Sequence, residues 1–178
     1  LEPEHLQASL EIHAMHPEVV VVTGWCRSIP PTPEEKEFVD EGLTTVGLSL
    51  RERFRLYRSL LYNTRFVNGI FYGLVRREAL TSVRPLTNLW AGDHILQTEL
   101  LLRGDFYTVP QVQIHKRRGG ASYTKERIFR ALGVTNPLLR WFHNVVREGA
   151  FQRGIWEAPG ISLSDRAALS LWSLRSYL

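Results

Sequence analysis

The sequence has one cysteine, Cys26, and one methionine, Met15, among 178 residues. A single thiol excludes an internal disulfide and a cysteine-based zinc site, and it suits a reducing compartment. The expected place for Cys26 is a small, half-buried position on a strand. No apolar run approaches the roughly 20 residues that a membrane span needs. The chain opens on Glu2, Glu4 and His5 instead of a basic segment followed by an apolar one, so no secretory leader is expected. The usual short signatures of other chemistry are missing too: there is no G-x-x-x-x-G-K-[ST], no G-x-G-x-x-G, no H-E-x-x-H and no G-x-S-x-G. Internal repeats and low-complexity tracts are absent.

What remains is an ordinary globular composition, 44% hydrophobic and 22% charged, in a chain long enough for one well-filled core. The net charge of +4 is unevenly spread. Acids gather in 34–41 (Glu34, Glu35, Glu37, Asp40, Glu41), while arginines recur at 51–58, 76–77, 117–118 and through the last third. Such a basic balance points to an anionic partner: a nucleotide, a nucleic acid or a membrane face.

Periodicity supplies the elements. Residues 4–15 read as a helix with Leu6, Leu10 and Ala14 on one face, stopped by Pro17. "EVVVVTGW" is an unbroken β-branched run, the mark of a buried strand. The proline- and acid-rich "IPPTPEEKEFVDEG" reads as a surface excursion. Ser49 and Glu52 have capping-box spacing, and Leu50, Phe54, Tyr57 and Leu61 follow at helical intervals. A strand is expected over Ile70–Val75, then a short helix, then a helix from about Asp93 to Arg103 closed by Gly104. "DFYTVP" and "VQIHKRR" read as two strands broken at Pro110, and amphipathic helices are expected over 124–132, 137–148 and 162–178. The fold class is therefore α/β, a mixed sheet with flanking helices, followed by an arginine-rich helical tail.

Four places carry candidate chemistry, and each has a structural alternative. Asp93 is either a helix N-cap or first-turn acid, or a carboxylate held at a cleft beside Trp90, Ala91 and Gly92 to take a proton. "IHKRRGGAS" offers Arg117 and Arg118 before two glycines, which suits phosphate, or equally a solvated strand exit. His115 is a weak metal candidate with no partner at ligand spacing. Gly73 lies within a strand, where a missing side chain means close approach of a ligand or of backbone, and Arg76 and Arg77 follow it. In the tail, Arg127, Arg130, Arg140, Trp141, His143 and Arg147 mix basic and aromatic character, as nucleic-acid and membrane binders do and as packed helices with solvated arginines also do.

The order of these pieces is more specific than any one of them. "MHPEVVVVTGWCRSI", "RFRLYRSLLYNTRFVNGIFYGLVRREAL", "GDHILQTELLLRGDFYTVP" and "HKRRGGAS" together resemble a family 2 glycosyltransferase of the GT-A fold, over about residues 4–123. The resemblance is to the acceptor-side half of the catalytic domain, the half that follows the nucleotide-binding half. It implies a partial GT-A-like unit at 1–123 with a helical segment at 124–178. Its activity would be inverting transfer of a sugar from a nucleotide-sugar donor to an acceptor hydroxyl. By the same resemblance Asp93 is the general base, Arg117 and Arg118 lie near the donor diphosphate, and Gly73, Arg76 and Trp90 line the acceptor side. A divalent metal, manganese or magnesium, is implied as cofactor. No D-x-D occurs in the chain, and Gly119 and Gly120 stand where many relatives carry a histidine after the basic pair, so the metal's ligands are expected mostly outside these residues. The chain alone is expected to be inactive without an upstream half. It is expected in the cytoplasm, with peripheral contact at the inner membrane face. Two other classes stay open: a non-catalytic basic module for nucleic acid or anionic membrane, and an interaction fragment that forms homo-oligomers through exposed apolar surface.

Overall fold

The computed structural model describes residues 2–61, 69–85, 90–118 and 124–177. Its elements run α1 (His5–Met15), β1 (Val19–Ile29), β2 (Phe38–Asp40), α2 (Leu50–Leu60), a 3-10 turn (Gly69–Tyr72), β3 (Leu74–Val75), α3 (Arg77–Thr81), α4 (Gly92–Leu101), β4 (Asp105–Arg117), α5 (Lys125–Ala131), α6 (Pro137–Trp141), α7 (His143–Glu157) and α8 (Leu163–Tyr177). This is an α/β arrangement: a small four-stranded mixed sheet with helices around it.

β1 organises the sheet. Its first four valines are buried, as a run without polar alternation requires when both faces are covered. β4 pairs parallel to it along its whole length. On β1's other edge two short antiparallel strands lie end to end, β3 beside Val21 and Val22 and β2 beside Cys26, Arg27 and Ser28. β2 falls inside the segment expected to be only an excursion. Pro110 does not break β4. The register jumps from Gly24 opposite Val109 to Trp25 opposite Val112, so Pro110 sits in a bulge where its missing N–H is harmless.

The segment after β2 lies along β4's outer edge and satisfies it largely through threonine side chains. The Phe106 amide donates to Thr45 Oγ1 (2.9 Å), the Thr108 amide to Thr44 Oγ1 (3.0 Å), and the Thr45 amide to the Phe106 carbonyl (2.9 Å). Thr45 Oγ1 in turn donates to Asp105, which also accepts from Arg53 (3.1 Å).

Several local expectations change for identifiable reasons. α1 does not bury its leucine face: Leu6, Leu10 and Ala14 are exposed, and His5 and Ser9 face inward. Hydrogen bonds dock this helix, from His5 to Gln113 (2.6 Å) and from His13 to the Val19 and Leu74 carbonyls (3.2 Å each). The strand expected over Ile70–Val75 shrinks to two residues, because a 3-10 turn takes up Gly69–Tyr72. The long helix expected over 137–148 is broken at Phe142 into α6 and α7. Gly104 is not a left-handed cap, since it is not among the positive-φ glycines. It is glycine for room: a Cβ there would lie 2.3 Å from Val20 Cγ1 and 2.6 Å from the Glu18 carbonyl. The capping box of α2 is as expected, with the Ser49 amide donating to Glu52 (2.8 Å) and the Glu52 amide to Ser49 Oγ (3.4 Å). Cys26 is fully buried instead of half-buried, and burial pushes its thiol up to about 11.

The helical tail is part of the core. Phe54 and Leu102 pack with Ile155, Ala158 and Leu169, joining α2 and the end of α4 to α7 and α8. Inside this junction Arg58 is fully buried and donates to Glu148 (2.9 Å), with its guanidinium 4.3 Å from the centre of the Phe151 ring. Glu148 also accepts from Ser173 and from Gln152 (3.2 Å), so α2, α7 and α8 meet at one carboxylate.

Two stability outcomes follow. Glu148→Ala strands a buried cation and is expected to lose about 3–5 kcal/mol in urea unfolding, whereas the paired apolar replacement Arg58→Met/Glu148→Leu recovers most of it. Gly104→Ala is expected to lose on the order of 1–3 kcal/mol by the same measurement, because Val20 and the Glu18 backbone must shift.

Candidate functional site

Asp93 is the second residue of α4, in its first turn, and the side chain is 37% exposed. It is not the N-cap. That position is Ala91, whose φ of 57° and ψ of 37° are left-handed, the only non-glycine positive φ among the described residues. A left-handed alanine costs on the order of 1–2 kcal/mol, so the surrounding packing must hold this turn in place. The Asp93 carboxylate accepts from the His94 amide (3.0 Å), and its other oxygen lies 3.9 Å from His94 Nε2.

The floor beneath is Tyr57. It is fully buried, and its hydroxyl donates to Gln97 Oε1 (2.9 Å) and reaches the His94 carbonyl (3.3 Å). Burial raises its pKa well above the ordinary value, and the negative charge of Asp93 raises it further, so the phenol stays protonated beside the carboxylate. His94 shifts the opposite way. Burial lowers its pKa first; Asp93 opposes this, and Arg147, Lys116 and Arg58 lower it further. Charges from four elements therefore act on His94: Asp93 of α4, Lys116 of β4, Arg147 of α7 and Arg58 of α2.

Trp90 turns to the tail. Its ring centre lies 5.4 Å from that of Phe129 and 5.2 Å from that of His143, with Lys125 Nζ 5.9 Å from its own. It is half-buried against α5 and the start of α7, so it holds the Ala91 turn to the tail more than it lines a cleft. Gly73 is explained by backbone approach, since a Cβ there would lie 2.6 Å from the Val22 carbonyl. The Arg76 guanidinium donates to the Val19 carbonyl (2.7 Å), the His16 carbonyl (3.1 Å) and the His13 carbonyl, which pins the end of α1 to β1. These contacts give Gly73 and Arg76 structural work.

The basic strand end divides by alternation. Arg117 is exposed and shares the face of His115, whose Nε2 lies 2.6 Å from Glu2 Oε1 beside α1. Arg118 pairs with Glu35 (3.1 Å), donates to the Lys36 carbonyl (2.9 Å) and lies over Phe38. Lys116, between them, has its ammonium 5.6 Å from the Tyr72 ring centre, and its charge acts on His94. Strand alternation alone could have separated Lys116 from Arg117. Nothing local in the sequence could have brought in Arg147 or Tyr57. Gly119, Gly120 and Ser122 lie outside the described residues.

Among the described residues no group of three or more His, Cys, Asp or Glu side chains converges on a point that could hold a metal ion. His115 lies against Glu2 and Asp93 against His94, two pairs and not a three-ligand set, so among the described residues no site is formed for the divalent cation that the resemblance implies. No helix among the described residues is long and apolar enough to cross a membrane. Compared with protein-family models, with curated proteins and with solved structures, the chain matches none.

The geometry has a direct check in solution. His94 is expected to titrate below its ordinary 6.5 in NMR-monitored pH titration, and Asp93→Asn is expected to lower it further by removing the opposing negative charge. In the unfolded chain this histidine takes up its proton first. Its contribution to stability is therefore present above pH 6.5 and lost as the pH falls toward the lowered folded value. An upward shift in Asp93→Asn would contradict the arrangement.

Proposed function

We propose that the chain is the acceptor-side part of an inverting glycosyltransferase, moving a sugar from a nucleotide-sugar donor to an acceptor hydroxyl with Asp93 as general base. The observation that carries this reading is the setting of Asp93: a partly exposed carboxylate in the first turn of a helix that opens on a strained residue, beside the His94 imidazole and close enough to the buried Tyr57 phenol to act on it. An alcohol is a poor nucleophile, and an aligned carboxylate that removes its proton as the new bond forms supplies the missing reactivity. The leaving nucleoside diphosphate develops negative charge, and Lys116 and Arg147, whose charges act on neighbouring His94, are our candidates to offset it. The resemblance names Arg117 and Arg118 for that role, and the Glu35 pairing of Arg118 makes Lys116 the better candidate. The reading includes an upstream half that holds the donor and the metal. The exposed Leu6, Leu10 and Ala14 face of α1 offers that half an apolar surface to pack on. No step is assigned to the metal from residues of this chain.

In the protein that includes this chain and its upstream half, Asp93→Asn is expected to lower kcat for transfer by about 10²–10⁴ while leaving donor affinity within about twofold. Donor binding is read by calorimetry and transfer by product release. Retention of full kcat in Asp93→Asn rules out the base assignment, and a matched loss of donor affinity turns Asp93 into a binding residue.

A further inference from the structure

The start of the tail has a surface that the reading of Asp93 does not use. α6 opens on Pro137, with the Asn136 side chain accepting from the Leu138 amide (2.9 Å). It then presents Leu138, Leu139 and Trp141 outward, and Phe142 and Val145 continue the exposed series into α7. Trp141 is 81% exposed and Leu138 64%, values of side chains that stand out from the body of the protein instead of lining a groove. Single exposed apolar residues are common; five within eight positions form a patch with a purpose.

The charge around this patch is predominantly positive. Between residues 124 and 147 the chain carries Lys125, Arg127, Arg130, Arg140 and Arg147 against one carboxylate, Glu126. Lys125, Arg127, Arg130 and Arg140 are exposed. Arg140 spans the two helices: its Nε donates to the Val134 carbonyl (2.8 Å), and its guanidinium lies 5.9 Å from the centre of the Phe129 ring of α5. The cations of α5 and the apolar side chains of α6 are thus held as neighbours.

We infer that α5, α6 and the first turn of α7 form a docking surface for an anionic lipid bilayer, with Trp141 and Phe142 entering the headgroup–acyl boundary and the α5 arginines contacting acidic headgroups. The chemistry selects the bilayer over a folded partner. Protruding tryptophan and leucine side chains suit a fluid interface that needs no matching pocket, and tryptophan favours the headgroup level. Long arginine side chains keep their charge in the headgroup layer while their stems follow the apolar groups inward. The surface stands independently of any role for Asp93, and it needs no membrane-spanning helix.

Co-sedimentation of the chain with phosphatidylcholine vesicles, with and without phosphatidylglycerol, tests this. Binding is expected to the anionic vesicles only, falling as salt is raised, with a blue shift of tryptophan emission. Trp141→Ser/Phe142→Ser is expected to weaken partitioning by at least about tenfold. Arg127→Gln/Arg130→Gln is expected to weaken it about fivefold per charge removed. All four positions are exposed, and circular dichroism confirms that each variant keeps the fold. Equal binding to neutral vesicles, no binding to either kind at low salt, or full binding by Trp141→Ser/Phe142→Ser overturns the inference. Self-association in vesicle-free sedimentation velocity that Trp141→Ser/Phe142→Ser abolishes also overturns it, by assigning the patch to a second copy of the chain.

Discussion

A single buried carboxylate, Glu148, decides whether the tail belongs to the fold. Its partner Arg58 comes from α2 with no exposed surface, and a guanidinium so placed is tolerated only when charge and hydrogen bonds meet it. Glu148 from α7 meets it, Phe151 lies under it, and Ser173 and Gln152 complete the carboxylate's shell. Apolar packing of Phe54, Leu102, Ile155 and Leu169 surrounds the pair and supplies the hydrophobic stabilisation. A replaceable appendage would not place a compensating charge in the interior of another unit. The described part of 124–178 is therefore structurally continuous with what precedes it, and it contributes Arg147 to the surroundings of His94.

How much could be read from residues alone depended on whether the cause was local. The β1 valines, the Ser49–Glu52 box and the existence of most helices follow from short-range preferences and were legible. α1 was misjudged in orientation, because the periodic leucines suggested one buried face while His5 and His13 find distant acceptors that turn the helix. Gly104 fits a sequence rule for helix ends, yet its cause is Val20, far away along the chain. Pro110 suggested a break because a strand's tolerance of proline depends on register with its neighbour, which no single strand reveals. The same division holds at the site. Asp93 stood out through its neighbours in sequence; Tyr57 comes near it, and Lys116 and Arg147 act on His94, through tertiary structure.

The environment of Asp93 joins rigidity with charge. Ala91 adopts a backbone conformation alanine avoids, and the ring cluster of Trp90, Phe129 and His143 anchors the preceding residue. Below, the Tyr57 phenol and Gln97 form a neutral hydrogen-bonded floor. The partly exposed carboxylate thus follows a backbone turn held by packing, an arrangement suited to proton transfer from a bound alcohol under the proposed reading.

The threonine-rich segment along β4 settles where this sheet can grow. Thr44 and Thr45 fill the hydrogen-bonding positions that another strand would need at Phe106 and Thr108, so the first part of β4's outer edge is closed. On the far side of β1 the neighbours are β2, three residues long, and β3, two residues long, and among the described residues neither pairs with any further strand. A polypeptide that extends the sheet meets a closed edge at Phe106 and Thr108, whereas β2 and β3 offer it edges that no further described strand occupies. That side also carries Gly73 and the start of α3.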